Sequence, residues 1–133
     1  MTMRVLVNAK PALLKIASQD LTIRTLYKIS KLMRKLDDEL LIYETQRLKI
    51  LGRHGEISGD IYVPKTGHEE DFVREFNELF AVEADIGDIK PVKIPLSENL
   101  KLSYQDLYAV RDFVEIEGDD ENDGRGKDKE NQN

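Results

Sequence analysis

The chain has 133 residues, enough for one modest core and too few for two large ones. It carries 20 Lys plus Arg against 26 Asp plus Glu, a net charge of −6, which disfavours a general nucleic-acid surface built on phosphate neutralisation. With no cysteine, disulfides, thiolate nucleophiles and cysteine zinc sites are excluded.

The opening "MRVLV" is a short β-branched run and reads as a strand over 3–7. Asn8 can cap a helix that begins near Ala9, with Pro11 in its first turn and Leu13, Leu14 and Ile16 on its buried side. Lysines interrupt this N-terminal stretch throughout, so it is neither a signal h-region nor a membrane span. "SQDLT" breaks the pattern, with Asp20 or Thr22 as the next N-cap.

The dominant element is a helix over 23–53. Leu26, Ile29, Met33, Leu36, Leu40 and Tyr43 alternate spacings of three and four, and the series continues through Arg47 to Ile50. Leu32, Leu41, Leu48 and Leu51 form a second row that should widen the buried stripe. Such a helix runs roughly 45 Å, longer than a domain of this size is wide, so one end should project or pair with another subunit, which would make a homo-oligomer through the long helix. Arg47 falls where the apolar seam should continue. The bland reading is a structural ion pair of Arg47 with Glu44; the sharper one is a carboxylate from the next helix, Glu75 or Glu78.

Beyond Gly52 and Gly55, two short strand-like pieces flank a Ser58-Gly59-Asp60 turn and predict a hairpin or loop. A second amphipathic helix spans about 69–82. Its Phe72, Phe76, Leu79 and Phe80 should supply the centre of the core. Residues 89–96 alternate apolar and polar but contain Pro91 and Pro95, which confine them to a sheet edge or connector. A last helix starts at Tyr104, capped by Ser103 with Asp106 reaching back, and presents Leu107, Val110 and Val114. From residue 118 onward no apolar side chain occurs, and six acids face three bases. That composition predicts a disordered acidic tail over 118–133, leaving 1–117 as a single globular domain. The expected class is α+β, mostly helical: a long helix packed by two or three shorter ones, with a small sheet from 3–7, 61–63 and 89–96.

Chemistry is sparse. His54 and His68 sit on either side of the hairpin in polar sequence and match no standard ligand spacing, so they read as exposed loop residues and no metal site is assigned. Adjacent carboxylates such as Asp37, Asp38 and Glu39 suit a solvated face better than a desolvated acid–base pair. There is no nucleophile elbow and no phosphate-binding glycine loop. A catalytic residue, a cofactor and an enzymatic activity are therefore not expected. One run stands out: Arg24, Lys28, Lys31 and Lys35 recur at four, three and four, one stripe in the first half of the long helix. A basic first half opposes the helix macrodipole, so the stripe should meet something negative. Carboxylates of this chain, an acidic protein partner or a phosphate ligand would all serve.

The pattern Glu39, Leu40, Tyr43, Glu44, Arg47, Leu51, the glycine-containing loop after it, and then Phe72, Glu75, Leu79 resemble small uncharacterised proteins of tailed bacteriophages and prophages. The likeness covers about 1–117. It implies a phage-encoded, non-enzymatic protein–protein interaction protein, assembly- or virion-associated, in the cytoplasm of the bacterial host or in the virion. The alternative, drawn from the basic stripe and the acidic surface, is a host-directed inhibitor or counter-defence protein that binds a host protein or a signalling nucleotide. A protein partner is expected and a membrane is not.

Overall fold

The computed structural model describes residues 1–118, so the expected acidic tail lies outside the described residues apart from Gly118. The class is α+β and mostly helical. Helix α1 (Met3–Ala17) precedes the long helix α2 (Ile23–His54), then come strands β1 (Gly55–Ser58) and β2 (Ile61–Pro64) and helix α3 (Glu69–Phe80). Strand β3 (Val92–Pro95), a 3-10 turn (Leu96–Glu98), helix α4 (Tyr104–Ala109) and strand β4 (Val114–Glu117) complete the order. Two compact units are formed, one from Met1–Val7 with Leu36–Ile86, the other from Asn8–Lys35 with the described residues from Gly87 onward. No helix among the described residues is long and apolar enough to cross a membrane.

In the first unit the hairpin is antiparallel, with Glu56 opposite Val63 and Ile57 opposite Tyr62, and Gly59 takes the positive φ its turn requires. The buried residues are Met3, Leu6, Leu36, Leu40, Ile50, Leu51 and Leu79. The α3 phenylalanines, expected at the centre, are instead half-buried along one flank. Ring centroids lie 5.0 Å apart for Phe72 and Phe76 and 6.2 Å for Phe76 and Phe80. Tyr43 packs on Phe80 at 5.8 Å, and the Arg4 guanidinium lies 4.6 Å from the Phe80 ring centre, covering apolar surface with a cation's stem.

The expected strand over 3–7 is part of α1. Its β-branched residues are outweighed by a buried row, Met3, Leu6, Ala9, Leu13 and Ile16, whose spacing of three and four fits only a helix. Pro11 stands inside this helix on its exposed side and removes one donor without ending it. Residue 2 alone keeps strand character, bridging Glu83, while the Met3 amide donates to Val82 O at 2.8 Å. The expected single sheet is replaced by two separate two-stranded sheets.

The second unit buries Ala9, Ala12, Leu13, Ile16, Ile29, Leu32, Ile94, Val110, Phe113 and Val114. Here β3 runs parallel to β4, with Val92 opposite Val114 and Ile94 opposite Ile116. The last helix is therefore shorter than expected: α4 stops at Ala109, and "VEIE" alternates apolar and polar as a strand with one covered face should. The parallel register needs a crossover, which the 3-10 turn and α4 provide. Ser103 and Asp106 form a full capping box, and Asp106 also accepts from Lys15 Nζ at 2.6 Å.

The start of α2 resolves the macrodipole conflict seen in the sequence. The helix has no acid in its own first turn, and Glu98 supplies one from the 3-10 turn. Thr22 donates to Glu98 from its amide at 3.0 Å and from its hydroxyl at 2.5 Å, and the Thr25 hydroxyl donates as well. These donors hold the Glu98 carboxyl below its ordinary range, first through the Thr22 hydroxyl and then through Thr25.

Phe113 is fully buried between these elements and is the largest such side chain. Phe113→Ala should destabilise the protein by about 3–5 kcal/mol through transfer loss and cavity formation, read as a lower urea midpoint at unchanged slope.

Candidate anion-binding groove

Positions 28, 31 and 35 fall on one face of α2, one and two turns apart, so Lys28, Lys31 and Lys35 form a row by helix geometry alone. The extended segment Ile89–Lys93 lies across from that row and adds Lys90 and Lys93. Between them is an open groove of about 380 Å³, floored by Leu32, Ile89, Pro91 and Val92. Leu32 is buried, Ile89 and Val92 are half-buried, and all five lysines are exposed. Arg24, expected in the same stripe, does not line the groove.

Two anchors keep the second wall in place. The Val92 amide donates to Phe113 O at 2.8 Å where β3 begins, and Glu98 holds the far end of the segment to the first turn of α2. Pro91 and Pro95 keep the backbone extended between them.

No carboxylate lines the groove. Among the described residues Lys93 has one ion-pair partner, Glu117 at 3.8 Å, and Lys31 Nζ stands 5.4 Å from the Tyr27 ring centre. Lys28, Lys35 and Lys90 have no ion-pair partner within the described residues. Five positive charges around an apolar floor attract an anion, and lysine serves as a point charge for carboxylate or phosphate alike. Sequence reasoning found the α2 row and missed Lys90 and Lys93. Their signal was present in "IKPVKIP", which carries two lysines and no acid, but nothing in the sequence says which helix that segment meets.

The first unit holds the two histidines, and they are not the exposed loop residues the sequence suggested. His54 ends α2 and His68 precedes α3, with Nδ1 of one 3.0 Å from Nδ1 of the other. The ring centres are 5.3 Å apart, the nitrogen separation plus the two ring radii, so the rings meet end to end. Lone pairs aimed at each other share a proton; they do not converge on a third point as chelating nitrogens must. His54 Nε2 lies 3.1 Å from Glu75 Oε2, and Arg53 donates to Glu75 Oε1 at 2.6 Å. Since an ionised Glu75 can only accept, Nε2 of His54 carries a hydrogen and a single proton bridges the two Nδ1 atoms. The cluster is a latch between the end of α2 and α3. Among the described residues no group of three or more His, Asp or Glu is placed to hold a metal.

Arg47 Nη1 is 2.9 Å from Glu44 Oε2, on a half-exposed helix surface. The more distant carboxylates weighed for it go elsewhere, Glu75 to Arg53 and Glu78 toward Arg74. Compared with protein-family models, curated proteins and solved structures, the chain matches none.

Two measurements check these assignments. Arg53 chiefly, and His54 next, hold the Glu75 carboxyl below its ordinary range, so its stabilisation is complete above the usual glutamate value near pH 4.3 and is lost as pH falls through the lowered one. Thermal midpoints of the wild type and Glu75→Gln should therefore differ most above about pH 5 and converge on acidification. Arg47→Met should keep the fold, with stability within about 1 kcal/mol of wild type in urea unfolding, since an exposed ion pair contributes little.

Proposed function

We propose that this chain is a phage-associated, non-enzymatic interaction protein that engages an acidic partner through the lysine groove. The observation that carries the binding reading is the convergence of Lys28, Lys31 and Lys35 with Lys90 and Lys93 on an apolar floor that no carboxylate lines. Such a surface complements a segment that alternates acids with apolar side chains. The phage setting is supported by the pattern Glu39, Leu40, Tyr43, Glu44, Arg47 and Leu51, the glycine-containing loop after it, and Phe72, Glu75 and Leu79. Within that setting the favoured role is assembly or virion association by protein contact.

A second reading is a small phosphate-bearing ligand, such as a nucleotide in a host-directed inhibitor. The volume of about 380 Å³ favours it, since it falls in the range of small-molecule sites, and Leu32, Pro91 and Val92 offer an apolar bed for a flat ring.

The experiment is binding of labelled acidic peptides by fluorescence anisotropy, beside calorimetric titration of mono-, di- and cyclic nucleotides, each repeated on Lys28→Glu and Lys90→Glu. Peptide binding that each reversal weakens at least about tenfold, and that added salt weakens further, is the expected result. Saturable nucleotide binding with the same dependence selects the second reading. Binding of either class that is indifferent to both reversals, or no binding of any kind, overturns the groove as the functional site.

A further inference from the structure

The two-stranded parallel sheet of the second unit leaves one edge open. The Val92 amide donates to Phe113 O, and with Val92 opposite Val114 this fixes which backbone groups face which way along the ladder. Glu115 and Glu117 direct their amides at β3, whereas Val114 and Ile116 direct theirs away from it. The Val114 amide is taken up by Val110 O at 2.9 Å. The Ile116 amide and carbonyl have no backbone partner among the described residues. The two outer edges of the sheet are not alike. β3 carries Pro95, whose missing N–H falls on its outer side, and the exposed Lys93, two devices that keep a free edge from pairing. β4, Val-Glu-Ile-Glu, has neither.

Beside Ile116 lies an apolar hollow of about 260 Å³, walled by Leu96, Leu100, Leu102 and Leu107, with Asn99 as its one polar side chain. It opens to solvent, since Leu96 is 55% and Leu107 41% exposed. Strand alternation puts Ile116 on the face it shares with Ile94 and Val114, and puts Glu115 and Glu117 on the opposite face. Glu117 has Lys93 at 3.8 Å, and Glu115 has no ion-pair partner among the described residues.

We propose that β4 takes an added strand from a protein partner, an extended segment in which a large apolar residue is flanked by lysine or arginine. Main-chain pairing with the Ile116 amide and carbonyl gives the contact its affinity, and the hollow gives it specificity by holding the apolar side chain. The flanking cations fall on the other face, across from Glu115 and Glu117, where opposite charges on adjacent strands attract. Two other occupants fail on charge or composition. A second copy of β4 would set Glu115 and Glu117 against glutamates, a repulsive cross-strand pairing. Residues 118–133 hold no apolar side chain, so this chain's own end cannot fill the hollow. The inference does not rest on the lysine groove, which selects the opposite charge.

Fluorescence anisotropy on the full chain tests it, with a labelled peptide that alternates Lys and Val around one central Phe. This peptide should bind saturably. A peptide of the same composition with its lysines clustered at one end should bind at least about tenfold more weakly, and Glu115→Lys should weaken the alternating peptide as much. Ile116→Pro removes the outward amide and leaves the Glu115 and Glu117 amides to β3, so it should abolish binding while circular dichroism stays that of the wild type. The wild-type chain supplies a check that no substitution can confound. N-methylation of one alternate set of peptide amides should abolish binding and of the other set should leave it within about threefold, because only one edge of an added strand faces β4. No saturable binding, equal affinity for the clustered peptide, indifference to Glu115→Lys or Ile116→Pro, or the same effect from both N-methylated sets would each overturn strand addition at β4.

Discussion

Glu98 at the first turn of α2 is the contact on which the second unit depends. A 32-residue helix that opens with cations and no acid has its free amide dipoles and its side-chain charges pointing the same way. The chain answers with a carboxylate from far along the sequence, accepted into three hydrogen bonds from Thr22 and Thr25. That one contact offsets the macrodipole cost and ties the end of the 87–98 segment to the helix. The β3–β4 pairing and the buried Ile94 hold the segment at its middle, and Glu98 holds its end against α2. The cap on the helix start and the β3–β4 register together place the second wall of the groove.

The same contact explains why neutralisation stops where it does. Glu98 is spent on hydroxyl and amide donors at the helix end, and Glu117 reaches Lys93 at a distance of 3.8 Å. The acids that follow on α2, Asp37 and Asp38, point to solvent and do not line the groove. A chain with net negative charge can therefore present a locally positive surface, which total charge alone would argue against.

What the sequence revealed and concealed divides along a physical line. The long helix, the hairpin, α3 and the capping box at Ser103 were legible because each is written in local periodicity or local capping chemistry. The errors came where two local signals competed or where the partner was remote. In "MRVLV" the β-branched residues masked a helical row that becomes visible only when Ala9, Leu13 and Ile16 are counted with Met3 and Leu6. In "VRDFVEIE" the apolar positions Val110 and Val114 fit both a helix and the start of a strand, and the parallel pairing with Val92–Pro95, a non-local contact, decided between them. Half of the groove was readable as the row on α2; the other half depends on Glu98 and on the β3–β4 register, which no window of sequence contains. The histidine latch was hidden for the same reason: His54 ends α2, while His68 and Glu75 belong to the start and body of α3 beyond the hairpin.

Arg47 and Arg34 show how position on a helix sorts equal charges into different roles. Arg47 lies in the apolar seam, half-buried, and a carboxylate one turn back on the same helix satisfies it, so its placement needs nothing outside α2. Arg34 is exposed and has no ion-pair partner among the described residues. Helices of a soluble protein pair such charges locally at little cost, through a neighbour three or four residues away. The long helix therefore carries two separable faces, one that contributes to the cores and one that gathers the lysines.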